Sequence, residues 1–90
     1  MDVVNNRFWN NGLTASGNGI NLASEVKLSS FSGNKIRDIQ ATPTQQYPFN
    51  ATGALTDVDI SFNHCVGNAQ NTLNLTGTQT RVTTLNNPGI

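Results

Sequence analysis

Apolar residues recur along this chain in short phrases and never in long runs. Residues 3–11 read VVNNRFWNN, residues 26–34 read VKLSSFSGN, and residues 60–68 read ISFNHCVGN. The shared form is an aliphatic residue, two free positions, Asn or Ser, a free position, Phe or Cys, a free position, Gly or Asn, and Asn. Asn6, Ser29 and Asn63 hold the fourth position, Phe8, Phe31 and Cys65 the sixth, and Asn11, Asn34 and Asn68 the ninth. A partial fourth copy, TTLNNPGI, brings Asn86 to the fourth position. The fourth positions are 23, 34 and 23 residues apart. Self-similarity at that period predicts stacked structural repeats, each burying its apolar face against its neighbour.

A second apolar feature follows each phrase. Ile20 alternates with Leu22 and Leu73 with Leu75, the period-two mark of a half-buried strand; Ile36 and Ile39 follow the middle copy. Gly12, Gly17, Gly19, Gly33, Gly53, Gly67 and Gly77, with the neighbouring Asn residues, read as corners. No segment has helical spacing with caps. The expected fold class is therefore all-β, with repeats at about 2–24, 25–56 and 57–80 and a partial one at 81–90. The longer middle gap predicts an inserted loop at about 41–52, because Pro43 and Pro48 cannot donate to a ladder. Asn and Ser at the fourth position predict an internal ladder, in which stacked side chains about 4.8 Å apart satisfy one another. The ninth-position Asn residues read as turn formers.

Composition removes several classes of function. Charged residues make up 11% of the 90, with no net charge, while Asn alone contributes 14. Sparse, balanced charge predicts no nucleic-acid partner. No apolar run is long enough for membrane insertion, and the Met1-Asp2 start has no basic and then apolar leader. One cysteine allows no internal disulfide, and no Cys/His spacing predicts a metal. No cofactor is expected.

With the aliphatic–Asn–Phe–Asn phrases and the second strands in view, the chain resembles a right-handed parallel β-helix of the pectate-lyase-like kind. The likeness covers nearly the whole chain. The Asn/Thr/Ser/Gln content and the closing NNPGI are similar to bacteriophage tailspikes and capsule depolymerases. That resemblance implies three to four coils, a homotrimer or a fragment of a longer trimeric spike, a virion (phage tail) or extracellular setting, and bacterial surface polysaccharide as partner. A leucine-rich repeat is the rival, but it wants Leu where Asn6, Ser29 and Asn63 stand.

Polysaccharide-cleaving β-helices work with two or three carboxylates. Asp2, Glu25 and Asp57 read as solvated corners. Asp57 and Asp59, at i and i+2, would share a strand face about 7 Å apart, a separation that allows an inverting pair in principle, with ordinary exposed charge as the favoured reading. Asp38 borders the expected loop and is the best single carboxylate to meet a ligand. His64 reads as a surface side chain and Cys65 as a core thiol. Trp9 alternates away from Phe8 and should face outward, so Trp9 and Tyr47 are the candidates to stack on sugar rings, with Asn10, Gln45 and Gln46 as polar neighbours; the equal alternative for Trp9 is burial at an interface between subunits. The expected function is a non-catalytic module that holds a trimer and binds host surface glycan. The alternatives are a hydrolase or lyase using Asp38, Asp57 or Asp59, and a purely structural trimerisation segment.

Overall fold

A computed structural model of the chain describes residues 1–9, 17–70 and 72–90. The described residues contain strands and no helix, in the order β1 (Asp2–Val4), β2 (Arg7–Trp9), β3 (Ile20–Leu22), β4 (Val26–Ser32), β5 (Lys35–Arg37), β6 (Phe49–Ala51), β7 (Leu55–Ser61), β8 (Leu73–Leu75) and β9 (Gln79–Leu85). They form a four-stranded sheet β1-β4-β7-β9, a two-stranded sheet β2-β5 and a three-stranded sheet β3-β6-β8. Every strand pair is parallel. The all-β expectation holds, and each strand lies beside its counterpart from the next repeat.

The register differs from the one that aligns the three phrases. Val3 pairs with Phe31, Phe31 with Ile60, and Ile60 with Thr84. Phe8 pairs with Ile36, and the next row continues through a bridge of Lys35 to His64, which brings Cys65 under Ile36. The first and third phrases are thus in step, while the middle one is displaced by five residues. Phe31 does not stack with Phe8 and Cys65. The repeat that the fold uses is apolar-x-x-Asn-x-apolar: Val3 to Phe8, Phe31 to Ile36, Ile60 to Cys65.

The same shift removes the inserted loop. Phe49–Ala51, inside the segment expected to bulge outward, is the central strand of its sheet, paired with β3 on one side and β8 on the other. Pro48 and Gln45 before it are fully buried. Pro48 has no N–H to donate and joins the row through its carbonyl, which accepts from Ile20 N at 3.0 Å. Measured on the ladder asparagines, the successive repeats are 28, 29 and 24 residues long. The third repeat is short; the second carries no insertion.

An internal amide ladder exists, on Asn6, Asn34, Asn63 and Asn87. Asn34 Nδ2 donates to Asn63 Oδ1 at 2.9 Å and to Val3 O at 2.9 Å. Asn63 Nδ2 donates to Asn87 Oδ1 at 3.0 Å and to Phe31 O at 2.9 Å. Each Oδ1 also accepts the backbone N–H of the asparagine in the preceding row, at 3.0 to 3.1 Å. Asn34 and Asn63 therefore use both donors and both lone pairs, so their burial leaves no polar group unmatched. Ser29 is outside the ladder, its hydroxyl donating to Lys27 O at 2.8 Å. Asn86 is outside it too; Asn87 is the member of that row.

Ahead of every ladder asparagine stands a left-handed residue: Asn5 at φ 57, Gly33 at 66, Phe62 at 57 and Asn86 at 48. That conformation ends one strand and aims the next side chain inward. Asn34 is thus a ladder residue and its neighbour Gly33 makes the turn. Asn68 is buried as well, donating to Ile36 O at 2.8 Å and Cys65 O at 2.9 Å. Asn11 and the expected corner residue Gly12 lie outside the described residues.

All three sheets feed one apolar core. Phe31, Leu55, Val58 and Ile60 come from the large sheet, Ile36 from the two-stranded one, and Ile20, Phe49 and Ala51 from the third. Phe31 meets Phe49 edge to face, with ring centroids 5.0 Å apart. Burying each such side chain contributes roughly 1.5–3 kcal/mol. This packing fixes which residues of the short β2–β5 sheet must face outward.

Candidate functional site

Alternation in β2 and β5 sets the site. Phe8 and Ile36 point into the core, which leaves Arg7, Trp9, Lys35 and Arg37 on the outer face. The parallel register places Arg7 beside Lys35 and Trp9 beside Arg37. His64 extends the first row through its bridge to Lys35. Trp9 is 38% exposed, as expected for a position alternating with Phe8. Two guanidinium groups lie against its indole, Arg7 Cζ at 5.2 Å and Arg37 Cζ at 5.8 Å from the ring centroid. Cation–π contacts of this kind at an exposed site contribute about 0.5–1 kcal/mol each and hold the ring in place.

The second cluster of expected sugar contacts is not part of this face. Tyr47, Gln45 and Gln46 lead into β6, in a different sheet from Trp9. Gln45 is fully buried and its amide donates to Asn68 Oδ1, so it is a core residue and offers nothing to a ligand. Gln46 is half-buried and extends the stack, its N–H donating to Gly17 O and its carbonyl accepting from Gln70 N. Tyr47 is half-buried, its N–H held by Asn18 Oδ1 at 3.2 Å. Asn10 lies outside the described residues.

The carboxylates do not converge. Asp38 is 4% exposed and its two oxygens accept from Gln40 N, Gln40 Nε2, Thr44 N and Gln45 N at 2.8 to 3.0 Å. Burial raises its pKa, but the hydrogen bonds from Gln45, Gln40 and Thr44 outweigh it and the net value lies below the ordinary one. Asp38 organises the turn between β5 and β6; it is not a free acid facing solvent. Asp57 takes a left-handed φ of 54 and drops out of the ladder register between Thr56 and Val58. It therefore does not continue the face of Asp59. Arg81 engages Asp57 through both oxygens, with Nη2 at 3.0 Å from Oδ2, and this hydrogen bond lowers the carboxyl pKa. Asp59 stays in register and accepts from Ser61 Oγ at 3.1 Å. No metal-binding cluster is present among the described residues.

Cys65 is fully buried beneath Ile36, and loss of solvation pushes its thiol up to about 12. It is a core thiol. His64 is half-exposed on the outer side of the chain, as the alternation with Asn63 and Cys65 requires.

Arg7, Lys35 and Arg37 are the site residues that phrase-matching overlooked. The signal becomes visible in the register that the fold uses. Aligned on the ladder asparagines, the three rows read Asn6-Arg7-Phe8-Trp9, Asn34-Lys35-Ile36-Arg37 and Asn63-His64-Cys65-Val66. A basic side chain follows the asparagine each time. Against family models, curated proteins and solved structures, the chain matches none.

Proposed function

We propose that this chain is a non-catalytic glycan-binding segment of a right-handed parallel β-helix, of the kind found in phage tailspikes. In this reading successive coils wind through the three sheets, three copies pack side by side, and the β2–β5 face meets polysaccharide on a host surface. The setting is the virion tail or the extracellular space.

The observation that carries it is the exposed indole of Trp9 on a regular strand. A flat aromatic ring held against a sheet, with donors on either side, matches the alternating apolar and hydroxyl-bearing surfaces of a sugar. Supporting it are the parallel rows, each paired with its counterpart 24 to 29 residues on. The partly exposed Asn21–Asn50–Asn74 ladder of the third sheet adds donors and acceptors suited to neutral hydroxyls. Exposed apolar side chains such as Leu28 (76%) and Leu85 (51%) supply surface that a neighbouring subunit would cover.

The test is retention of the full chain on immobilised bacterial surface polysaccharides, with reducing-end release assayed on the same panel. Retention without release, weakened by Trp9→Ala and unaffected by Gln46→Ala, is the expected result. Release abolished by Asp59→Asn would replace this reading with a depolymerase. No retention from a stable trimer in sedimentation would leave a structural segment only.

A further inference from the structure

The chain has five cationic side chains, and three of them stand on the outer face of one two-stranded sheet. Lys27 pairs with Glu25, and Arg81 with Asp57. Arg7, Lys35 and Arg37 have no ion-pair partner among the described residues. Nor can residues 10–16 provide one, since that stretch contains no acid. In a chain of zero net charge, this is segregation: the cations without counter-charges gather around the single tryptophan.

Arg37 adds an independent observation. Its Nε is buried and has no hydrogen-bond partner among the described residues. A buried guanidinium donor left unmatched costs free energy unless an acceptor arrives. Beside it, across the parallel pair, is the Trp9 ring, and two residues back on the same face of the strand is Lys35. His64 continues the Arg7–Lys35 row. Arginine binds planar oxyanions through paired N–H groups, and lysine adds a point charge.

We propose that this face takes an acidic saccharide, a sugar ring bearing a carboxylate or a phosphate ester, with the ring against Trp9 and the anion between Arg37, Lys35 and Arg7. The proposal rests on the glycan-binding reading above and adds the charge of the ligand. Nucleic acid is the less favoured anion, because its affinity grows with the number of phosphates neutralised and this face offers three cations and one stacking ring.

The experiment is equilibrium binding of the full chain to four polymers: alginate, its carboxyl-reduced form, phosphomannan and unphosphorylated mannan. A single-stranded oligothymidylate is the fifth ligand. The expected result is binding to alginate or phosphomannan at least about tenfold tighter than to its uncharged counterpart, and weakened by added salt. The preferred member of the two identifies the anion. Lys35→Gln, at an exposed side chain with no ion-pair partner among the described residues, should cost the acidic polymer about threefold to tenfold and leave thermal stability unchanged. Equal affinity for charged and uncharged forms overturns the proposal while leaving the glycan reading intact. Failure to bind any of the four polymers overturns both. Tighter binding to the oligonucleotide than to either acidic polymer also overturns the proposal.

Discussion

Asn63 Oδ1 accepts both the side-chain amide of Asn34, at 2.9 Å, and the Asn34 backbone N–H, at 3.1 Å. One side chain thus closes the corner of the row before it. Replacing Asn34 with Leu keeps the volume but strands the Asn6 N–H, the Val3 carbonyl and half of the Asn63 acceptor capacity. Each buried group left unmatched costs about 1–3 kcal/mol, so Asn34→Leu should destabilise by roughly 2–5 kcal/mol and lower Tm by more than about 10 °C. Ser29→Ala, outside the ladder, should change Tm by only a few degrees. Thermal unfolding followed by circular dichroism compares the two. Similar losses for both would show that the ladder is not what holds the corners.

The residue before each ladder asparagine is left-handed, which gives opposite expectations at two equivalent positions. At Gly33, φ is 66 and an added Cβ would run into Asn5 Oδ1. Gly33→Ala should therefore destabilise by about 1–2 kcal/mol. At Phe62 a bulky residue already holds φ 57 and is 59% exposed, so it has the strain without compensating burial. Phe62→Gly should stabilise by up to about 1 kcal/mol, the relief of strain exceeding the added entropy of the unfolded chain. Denaturant midpoints of the two variants should move in opposite directions.

The fold class was legible in the sequence because strand alternation survives any error in register: Ile20 with Leu22 and Leu73 with Leu75 mark strands however the rows are stacked. The stacking register was not legible from Phe31. It follows an aliphatic residue by five positions, as Phe8 and Cys65 do, and so mimics the sixth position while occupying the first. A column of side chains selects for apolar volume, not residue type, so Val3, Phe31 and Ile60 can share one column. Once the middle row was displaced, Phe49–Ala51 looked like an insertion and Lys35 and Arg37 lost their alignment with Arg7 and Trp9. Trp9 itself needed only its alternation with Phe8. Burial of Gln45 and Asp38 lay beyond sequence reasoning, because Asp38 is satisfied by a turn that no local pattern announces and Gln45 by Asn68 of the next row.

Asp38 predicts an acid limb of stability. Its folded-state pKa lies below the ordinary value of 3.8. The carboxylate's contribution is therefore complete above that value and is lost as pH falls through the lower, folded one. Below about pH 4, Asp38→Asn should lose less stability per pH unit than the parent chain, while being less stable at neutral pH. Thermal melts between acid and neutral pH test this. Parallel stability curves for the two proteins would assign the acid limb to other groups.

Cys65 should be inert in the folded chain. It is fully exposed to reagent only after unfolding, and its thiol is pushed up to about 12. Iodoacetamide at mildly alkaline pH should leave the native protein unmodified and label it rapidly in denaturant. Fast native labelling, read by mass spectrometry, would mean that Cys65 does not sit under Ile36.

The chain has one tryptophan, so its fluorescence reports the β2–β5 face alone. Titration with the polysaccharide that retains the chain best should shift Trp9 emission to the blue as the half-exposed indole is covered. The binding curve should match retention, and Arg37→Gln should weaken both together. Retention of the chain with Trp9 emission unchanged throughout the titration would place the glycan elsewhere and contradict the account.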